Sequence, residues 1–253
     1  MFKWNLFGRN RRSHKDTWNI RTMFGPNLSF ASAEAYKLLR TNITFSFSDE
    51  GEGHVFGITS SIQGEGKSST ACNVAYALAE SGKKVLLMEG DLRKPTVGSK
   101  LGVMKTPGLT NLLVGRGDYR EMIQKCHVAP KIDIMTSGDI PPNPSELLSS
   151  HRMEMLIAQL RKVYDFIVMD LPPVNVVSDA VAVSKLLDGV VMVVRSGVSD
   201  QKMLSESLRQ LEMVNVRILG FVYRDSNELG SAYGYHKYGK KYYRYYSEYE
   251  KTK

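Results

Sequence analysis

Ile58-Thr-Ser-Ser-Ile-Gln-Gly-Glu-Gly-Lys-Ser-Ser-Thr70 is the stretch that decides how this chain folds. A short apolar strand, Val55 to Ile58, runs into a small turn bearing two glycines. A helix then opens with Lys67-Ser68-Ser69 and continues through Ala71, Val74, Ala75, Leu78 and Ala79. Gly64 and Gly66 let the backbone bend so that several N–H groups point inward, and the helix N-terminus adds its positive end. Lys67 has the reach for β- and γ-phosphates, and the Ser68 hydroxyl suits a magnesium ion. Ser61 stands where the strict pattern wants glycine. An ordinary strand–helix turn is the plain alternative, but it gives no reason for Gly-Lys-Ser at that junction. The stretch reads as a loop that holds a polyphosphate, with Ser61, Gly64, Glu65, Gly66, Lys67, Ser68 and Ser69 around it.

A chain of 253 residues, 42% hydrophobic, can bury a full core in one α/β domain. No apolar run approaches the length of a membrane span, and the first residues lack the apolar stretch of a signal peptide. A cytosolic protein is expected. Cys72 and Cys126 belong to no paired-cysteine motif and read as small core residues. The net charge of +8 is unevenly placed. Residues 1–24 hold six Lys/Arg against one Asp, and residues 231–253 hold six against two Glu. The body between them is close to neutral. That argues against a nucleic-acid groove, which needs a basic face on the domain. Basic termini rich in aromatics suit an anionic membrane surface or an acidic partner, or are simply solvated.

Along the chain, residues 1–30 read as a basic mobile arm with a turn at Gly25-Pro26-Asn27. Ser32 is placed to cap a helix from Ala33 to Thr44, with Glu34, Lys37 and Arg40 on one face and Tyr36, Leu39 and Ile43 as the docking stripe. Val85 to Met88 is a buried strand ending in Glu89-Gly-Asp91, and Phe166 to Met169 is another ending in Asp170-Leu-Pro-Pro. Carboxylates at the ends of parallel strands sit where open α/β sheets bind ligands. Short helices are expected at Gly108 to Gly115 and Asp118 to Lys125, and a longer one from Pro144 towards Lys162. Strands at Ile132 to Met135, Val190 to Val194 and Ile218 to Tyr223 follow the same alternation, with helices from Ser178-Asp179 to Leu187 and from Asp200 to Met213. The pattern predicts a parallel sheet with helices on both faces. From Gly230 onward the composition changes: Tyr233, Tyr235, Tyr238, Tyr242, Tyr243, Tyr245, Tyr246 and Tyr249 interleave with Lys and Arg. With no aliphatic residue after Ala232, residues 230–253 are expected to be a disordered tail.

Taken together, the chain from about Ala31 onward resembles the cytoplasmic kinase subunit of the bacterial tyrosine kinases (BY-kinases) of capsular and exopolysaccharide synthesis. Thr59 to Ser69 resembles the family's Walker A, Leu86-Leu-Met-Glu-Gly-Asp-Leu-Arg93 its A′ motif, and Ile167-Val-Met-Asp-Leu-Pro172 its Walker B. Pro141-Pro-Asn-Pro-Ser-Glu-Leu-Leu148 and the tyrosine-rich tail match as well. The resemblance implies a P-loop NTPase-like domain over residues 31–229 that transfers phosphate from Mg·ATP to tyrosine. Lys67 would hold the phosphates, Ser68, Asp91 and Asp170 the metal, and Glu89 or Asp91 would accept the tyrosyl proton. The eight tail tyrosines would be autophosphorylated.

The chain also departs from the family pattern. Glu89 replaces the first aspartate of A′, Gln63 replaces a proline of Walker A, and Lys37 replaces the middle arginine of the oligomer helix. Arg224, counted among the nucleotide-binding residues, stands where the family usually places an asparagine against adenine, which leaves the mode of base recognition open. Glu34, Lys37 and Arg40 would contact a neighbour in a ring, an octamer in the family. Further implied partners are a membrane-embedded polysaccharide co-polymerase that activates the kinase and holds it at the inner face of the membrane, and a cognate tyrosine phosphatase. The nearest rival is a partitioning or cell-division ATPase of the same fold, which usually has a second lysine where Ile62 stands and no use for the tail. A metal-cluster scaffold ATPase would need paired cysteines. A non-catalytic, nucleotide-binding assembly regulator is the rival from another class.

Overall fold

The computed structural model describes residues 24–47, 51–126 and 131–224. Its strands are β1 (His54–Ser60), β2 (Val85–Glu89), β3 (Ile123–Lys125), β4 (Ile132–Met135), β5 (Phe166–Asp170), β6 (Gly189–Arg195) and β7 (Ile218–Arg224). They form one sheet in the order β3-β4-β2-β5-β1-β6-β7. Its helices are α1 (Phe30–Phe45), α2 (Lys67–Glu80), α3 (Val97–Leu101), α4 (Leu109–Leu113), α5 (Tyr119–Met122), α6 (Pro144–Leu148), α7 (His151–Arg161), α8 (Asp179–Val183) and α9 (Gln201–Met213). None of the helices among the described residues is long and apolar enough to cross a membrane.

The inner strands β2, β5 and β6 are nearly continuous apolar runs because both faces of the sheet are covered. Successive side chains point to opposite faces. Phe56, Ile58, Val85, Leu87, Phe166, Val168, Val191 and Val193 pack with Ala71, Val74 and Leu78 of α2 and Ile43 of α1. Val55, Leu86, Met88, Ile167, Met169, Val190 and Met192 pack on the other side with Leu156 and Leu160 of α7 and Leu211 of α9. Each such aliphatic side chain removed from water contributes about 1.5–3 kcal/mol. Parallel register carries this packing to the site. Ile58 lies opposite Asp170, and Asp170 opposite Glu89, so β5 and β2 end at one level while β1 runs on to Ser60 and into the loop.

The expected alternation holds, with differences that have local causes. The helix expected from Ala33 begins a turn earlier, because Ser29 rather than Ser32 is the cap: its hydroxyl accepts the Ser32 N–H. The first described residues of the arm expected over residues 1–30 are instead packed on the body. Phe24 is buried edge-to-face on Tyr76 of α2, and the Gly25 N–H donates to Asn73 Oδ1 at 3.0 Å. The rest of that arm, and the tail of residues 230–253, lie outside the described residues. The helix expected towards Lys162 is two helices, since Ser150 starts α7 afresh by capping the Met153 N–H. The second half of the helix expected over Asp118 to Lys125 is the edge strand β3, antiparallel to β4. Cys72 and Cys126 are buried free thiols, as expected of core residues.

At the end of the sheet away from the carboxylates, Arg161 and Asp188 clamp the chain. Both guanidinium nitrogens meet the carboxylate, at 2.7 and 2.8 Å, and also bond the Gly53 and Leu186 carbonyls. Asp188 Oδ2 further accepts the Val55 N–H at 2.7 Å. Asp188→Ala therefore strands several donors, and a loss of about 1–3 kcal/mol is expected for this partly exposed pair. Urea denaturation measures it, and an unchanged midpoint would mean that water replaces the clamp.

Candidate nucleotide and phosphoryl-transfer site

The loop after β1 is built to leave its amides unspent. Gly64 and Gly66 adopt φ of +91° and +96°, conformations that L side chains rarely take. Gly66 is the N-cap of α2 and supplies no side-chain acceptor, so amides of the first turn remain available to an anion. The base of the loop is tied to the segment after β5. Thr59 Oγ1 donates to the Pro172 carbonyl at 2.7 Å, and the Val174 N–H to the Ser60 carbonyl at 2.9 Å. Ser61 is buried there, and its hydroxyl has no hydrogen-bond partner among the described residues.

Lys67 lies between two carboxylates from different strands. Its ammonium is 2.9 Å from Asp91 Oδ2 and 3.5 Å from Asp170 Oδ1. Burial works against that charge, but Asp170 and Asp91 outweigh it and hold the lysine pKa above its ordinary value. Asp170 is fully buried at the end of β5, and neither carboxylate oxygen receives a well-formed hydrogen bond. Burial pushes its carboxyl above the usual range, opposed chiefly by the Lys67 ammonium. A buried acidic group with unused lone pairs, beside Ser68 and Asp91, suits a hard cation. Magnesium needs few protein ligands when phosphates and water complete its shell.

Glu89 and Asp91, left as alternatives by the sequence, occupy different environments. The Glu89 carboxylate is buried and accepts from the Thr96 N–H, from Val97 N–H at 2.6 Å and from Ser137 N–H at 3.2 Å. Burial pushes its carboxyl up, and those amides pull against it. It pins the start of α3 to the end of β4. Asp91 instead lines the cleft, one oxygen on Lys67 and the other accepting the Lys94 N–H at 3.0 Å.

The cleft, about 1480 Å³, extends from Lys67, Ser68 and Ser69 to Tyr36 and Leu39 of α1 and to the end of β7. Arg224 reaches the loop, its Nη1 donating to the Gly66 carbonyl at 3.3 Å. Glu65 is buried in the loop rather than displayed at its mouth. On α1, Lys37 pairs with Glu34 at 2.8 Å, and Arg40 donates to the Ala77 carbonyl of α2 at 3.2 Å. The eight tail tyrosines lie outside the described residues. Two groups were not read from sequence. Arg195 donates to the Gly64 carbonyl at 3.0 Å, and Arg93 forms a two-pronged pair with the buried Asp179, at 2.8 and 3.1 Å. Arg195 ends a parallel strand at the sheet's ligand edge, a position that could have flagged it.

A phosphate loop feeding a helix, with carboxylates at the ends of two other parallel strands, defines a P-loop nucleotide-binding α/β protein. A family model described as an AAA domain matches residues 54–216. The chain is 37% identical to the tyrosine-protein kinase YwqD of Bacillus subtilis over 234 residues, 92% of this chain and 96% of that one. It superposes on the kinase domain of the Escherichia coli tyrosine kinase ETK with a TM-score of 0.73, at 32% identity, covering 80% of this chain and 79% of that one. A chimerical protein, CapA2B2, gives a TM-score of 0.71 at 36% identity over 76% and 83% of the two chains. The chain belongs to the bacterial tyrosine kinases, the BY-kinases.

The two carboxylates of the segment after β2 should separate on substitution. Glu89→Ala leaves buried amides unpaired and should lower the melting temperature markedly, each stranded group costing about 1–3 kcal/mol. Asp91→Asn should leave the melting temperature nearly unchanged while abolishing tyrosine phosphorylation. Thermal scans beside a phosphotyrosine blot make the comparison, and an active Asp91→Asn protein would return the proton-accepting role to Glu89.

Proposed function

We propose that this chain is an ATP- and Mg2+-dependent protein-tyrosine kinase that phosphorylates its own tail in trans and so regulates capsular or exopolysaccharide synthesis and export. The observation that carries this is Asp170: a fully buried carboxylate, approached by the loop lysine and Ser68 without a well-formed hydrogen bond to either oxygen. Lys67 and the amides of the loop and first turn of α2 bind the β- and γ-phosphates. Ser68, Asp91 and Asp170 would hold a Mg2+ ion, which would supply positive charge to offset that of the transferring phosphoryl group. Asp91 takes the tyrosyl proton, the tyrosyl oxygen bonds to the γ-phosphorus, and the bond from that phosphorus to the bridging oxygen breaks to leave ADP. Glu89 supports this geometry from behind through its three amides. Arg224 lies at the nucleotide end of the cleft and contributes to holding the nucleotide.

Relatives that are tyrosine kinases support this reading over a partitioning ATPase. A tagged Lys67→Met chain should carry no phosphotyrosine alone, because a charge-assisted phosphate contact is lost, yet gain it when mixed with wild type and Mg·ATP. Phosphotyrosine on the variant alone would sink the assignment of the loop, and failure to gain it in the mixture would sink transfer in trans.

By the family resemblance, the kinase works in the cytoplasm at the inner face of the membrane. There it docks on a membrane-embedded polysaccharide co-polymerase, assembles as a ring, an octamer in the family, and is reset by a cognate tyrosine phosphatase. The likeness to a chimerical protein fits a kinase that works joined to a second polypeptide. The half-buried Glu34–Lys37 pair and Arg40 form the proposed ring contact. Reversing Lys37 and Arg40 to Glu should convert the assembly to monomer in light scattering while Mg·ATP binding persists. An unchanged mass would make this helix face a solvated one.

A further inference from the structure

The phosphate loop is braced from a part of the chain that plays no role in the mechanism above, the turn between β6 and α9. Glu65, between the loop's two glycines, is fully buried. Its Oε2 accepts the Ile62 N–H at 2.8 Å, a bond that spans the loop from within. Its Oε1 accepts the hydroxyl of Ser199. That hydroxyl in turn accepts the Arg195 N–H at 2.7 Å, and the Arg195 guanidinium returns to the loop at the Gly64 carbonyl, 3.0 Å away. The chain of bonds closes on itself: loop amide, Glu65, Ser199, Arg195, loop carbonyl. The turn is also fixed, since the Val198 and Ser199 N–H groups bond the Arg195 carbonyl and Asp200 caps α9.

We infer that Glu65 and Ser199 are positioning residues that preset the phosphate loop for Mg·ATP, with the Arg195 guanidinium as the outer latch. Gly64 and Gly66 give the loop its left-handed turns but also the greatest backbone freedom to lose on binding. The circuit removes that freedom in advance, which raises affinity without any contact to the ligand. It also engages one loop N–H and one loop C=O, the Ile62 amide and the Gly64 carbonyl, so the ligand does not compete for them. A carboxylate beside a phosphate site repels the ligand if it faces it. Here one oxygen accepts the loop's own Ile62 N–H and the other the Ser199 hydroxyl of the β6–α9 turn, so Glu65 acts through the backbone rather than on the substrate.

The inference rests on the kinase reading for its rate measurements and not for its binding measurements. Calorimetry gives the Kd for Mg·ATP, and steady-state phosphorylation gives KM and kcat for wild type and for Glu65→Ala, Glu65→Gln and Ser199→Ala. Glu65→Ala should raise Kd and KM for ATP at least about tenfold while kcat changes far less, the pattern of lost ground-state binding. Ser199→Ala should move the same quantities less. Gln keeps an acceptor for the Ile62 N–H and offers an N–H to Ser199 Oγ, so Glu65→Gln should recover most of the affinity. An Ala variant with unchanged Kd overturns the brace, and so does a Gln variant as impaired as Ala, which would place the carboxylate's charge in the chemistry. A melting curve for each variant in its free form identifies those that fail to fold; Ser199→Ala, which removes one hydroxyl, then carries the test, and an unchanged Kd in it overturns the brace. A wild type that binds Mg·ATP but transfers no phosphate sinks the kinase reading and leaves the binding comparison intact.

Discussion

The placement of the Lys67 ammonium between Asp91 and Asp170 is the constraint on which the rest of the structure depends. Its three members come from the start of α2, the segment after β2 and the end of β5, so they meet only if the sheet is in register. Two carboxylates and one ammonium in a nearly dry place leave excess negative charge, and a pair of unit charges at such distances interacts by about 4 kcal/mol at an intermediate dielectric. That imbalance suits the proposed role, in which the same charges would be shared with a metal and a polyphosphate. The two-sided hydrophobic core supplies the rigidity that keeps the three groups in place.

Much of this was legible in the sequence because the signals were local or repeated. The nearly continuous apolar inner strands require cover on both faces, and the strand–loop–helix at Ile58 to Thr70 is a short-range pattern. The carboxylates were legible because each follows an apolar strand directly. Features set by contacts between distant segments were not. Nothing near Glu89 in sequence shows that its oxygens meet the amides of Thr96, Val97 and Ser137, the last of them on a different strand's exit. Arg195 and Ser199 reach Gly64 and Glu65 across more than a hundred residues.

Helix ends show the same division. Asp200 is legible from the sequence as the start of α9, where its carboxylate accepts the Lys202 and Met203 amides. Ser29 and Ser32 are both plausible caps by composition, and the choice falls to Ser29 because Phe24 and Gly25 are anchored on α2 just upstream. The break at Ser149-Ser150 arises similarly: Ser150 serves a new helix better than it would continue the old one, as serine gains more at a cap than in a helix interior.

Helix α2 is held along much of its length by the N-terminal segment. Asn73 accepts the Gly25 amide, Tyr76 packs against Phe24, and the Ala77 carbonyl receives Arg40 from α1. The first turn of that helix is the floor of the proposed phosphate site. Meanwhile α1 presents Leu38 and Phe45 outward, 63% and 85% exposed. The start of α2 is therefore fixed by the N-terminal segment as well as by the sheet, so the direction in which its first backbone amides point is set in part by residues well upstream in the chain.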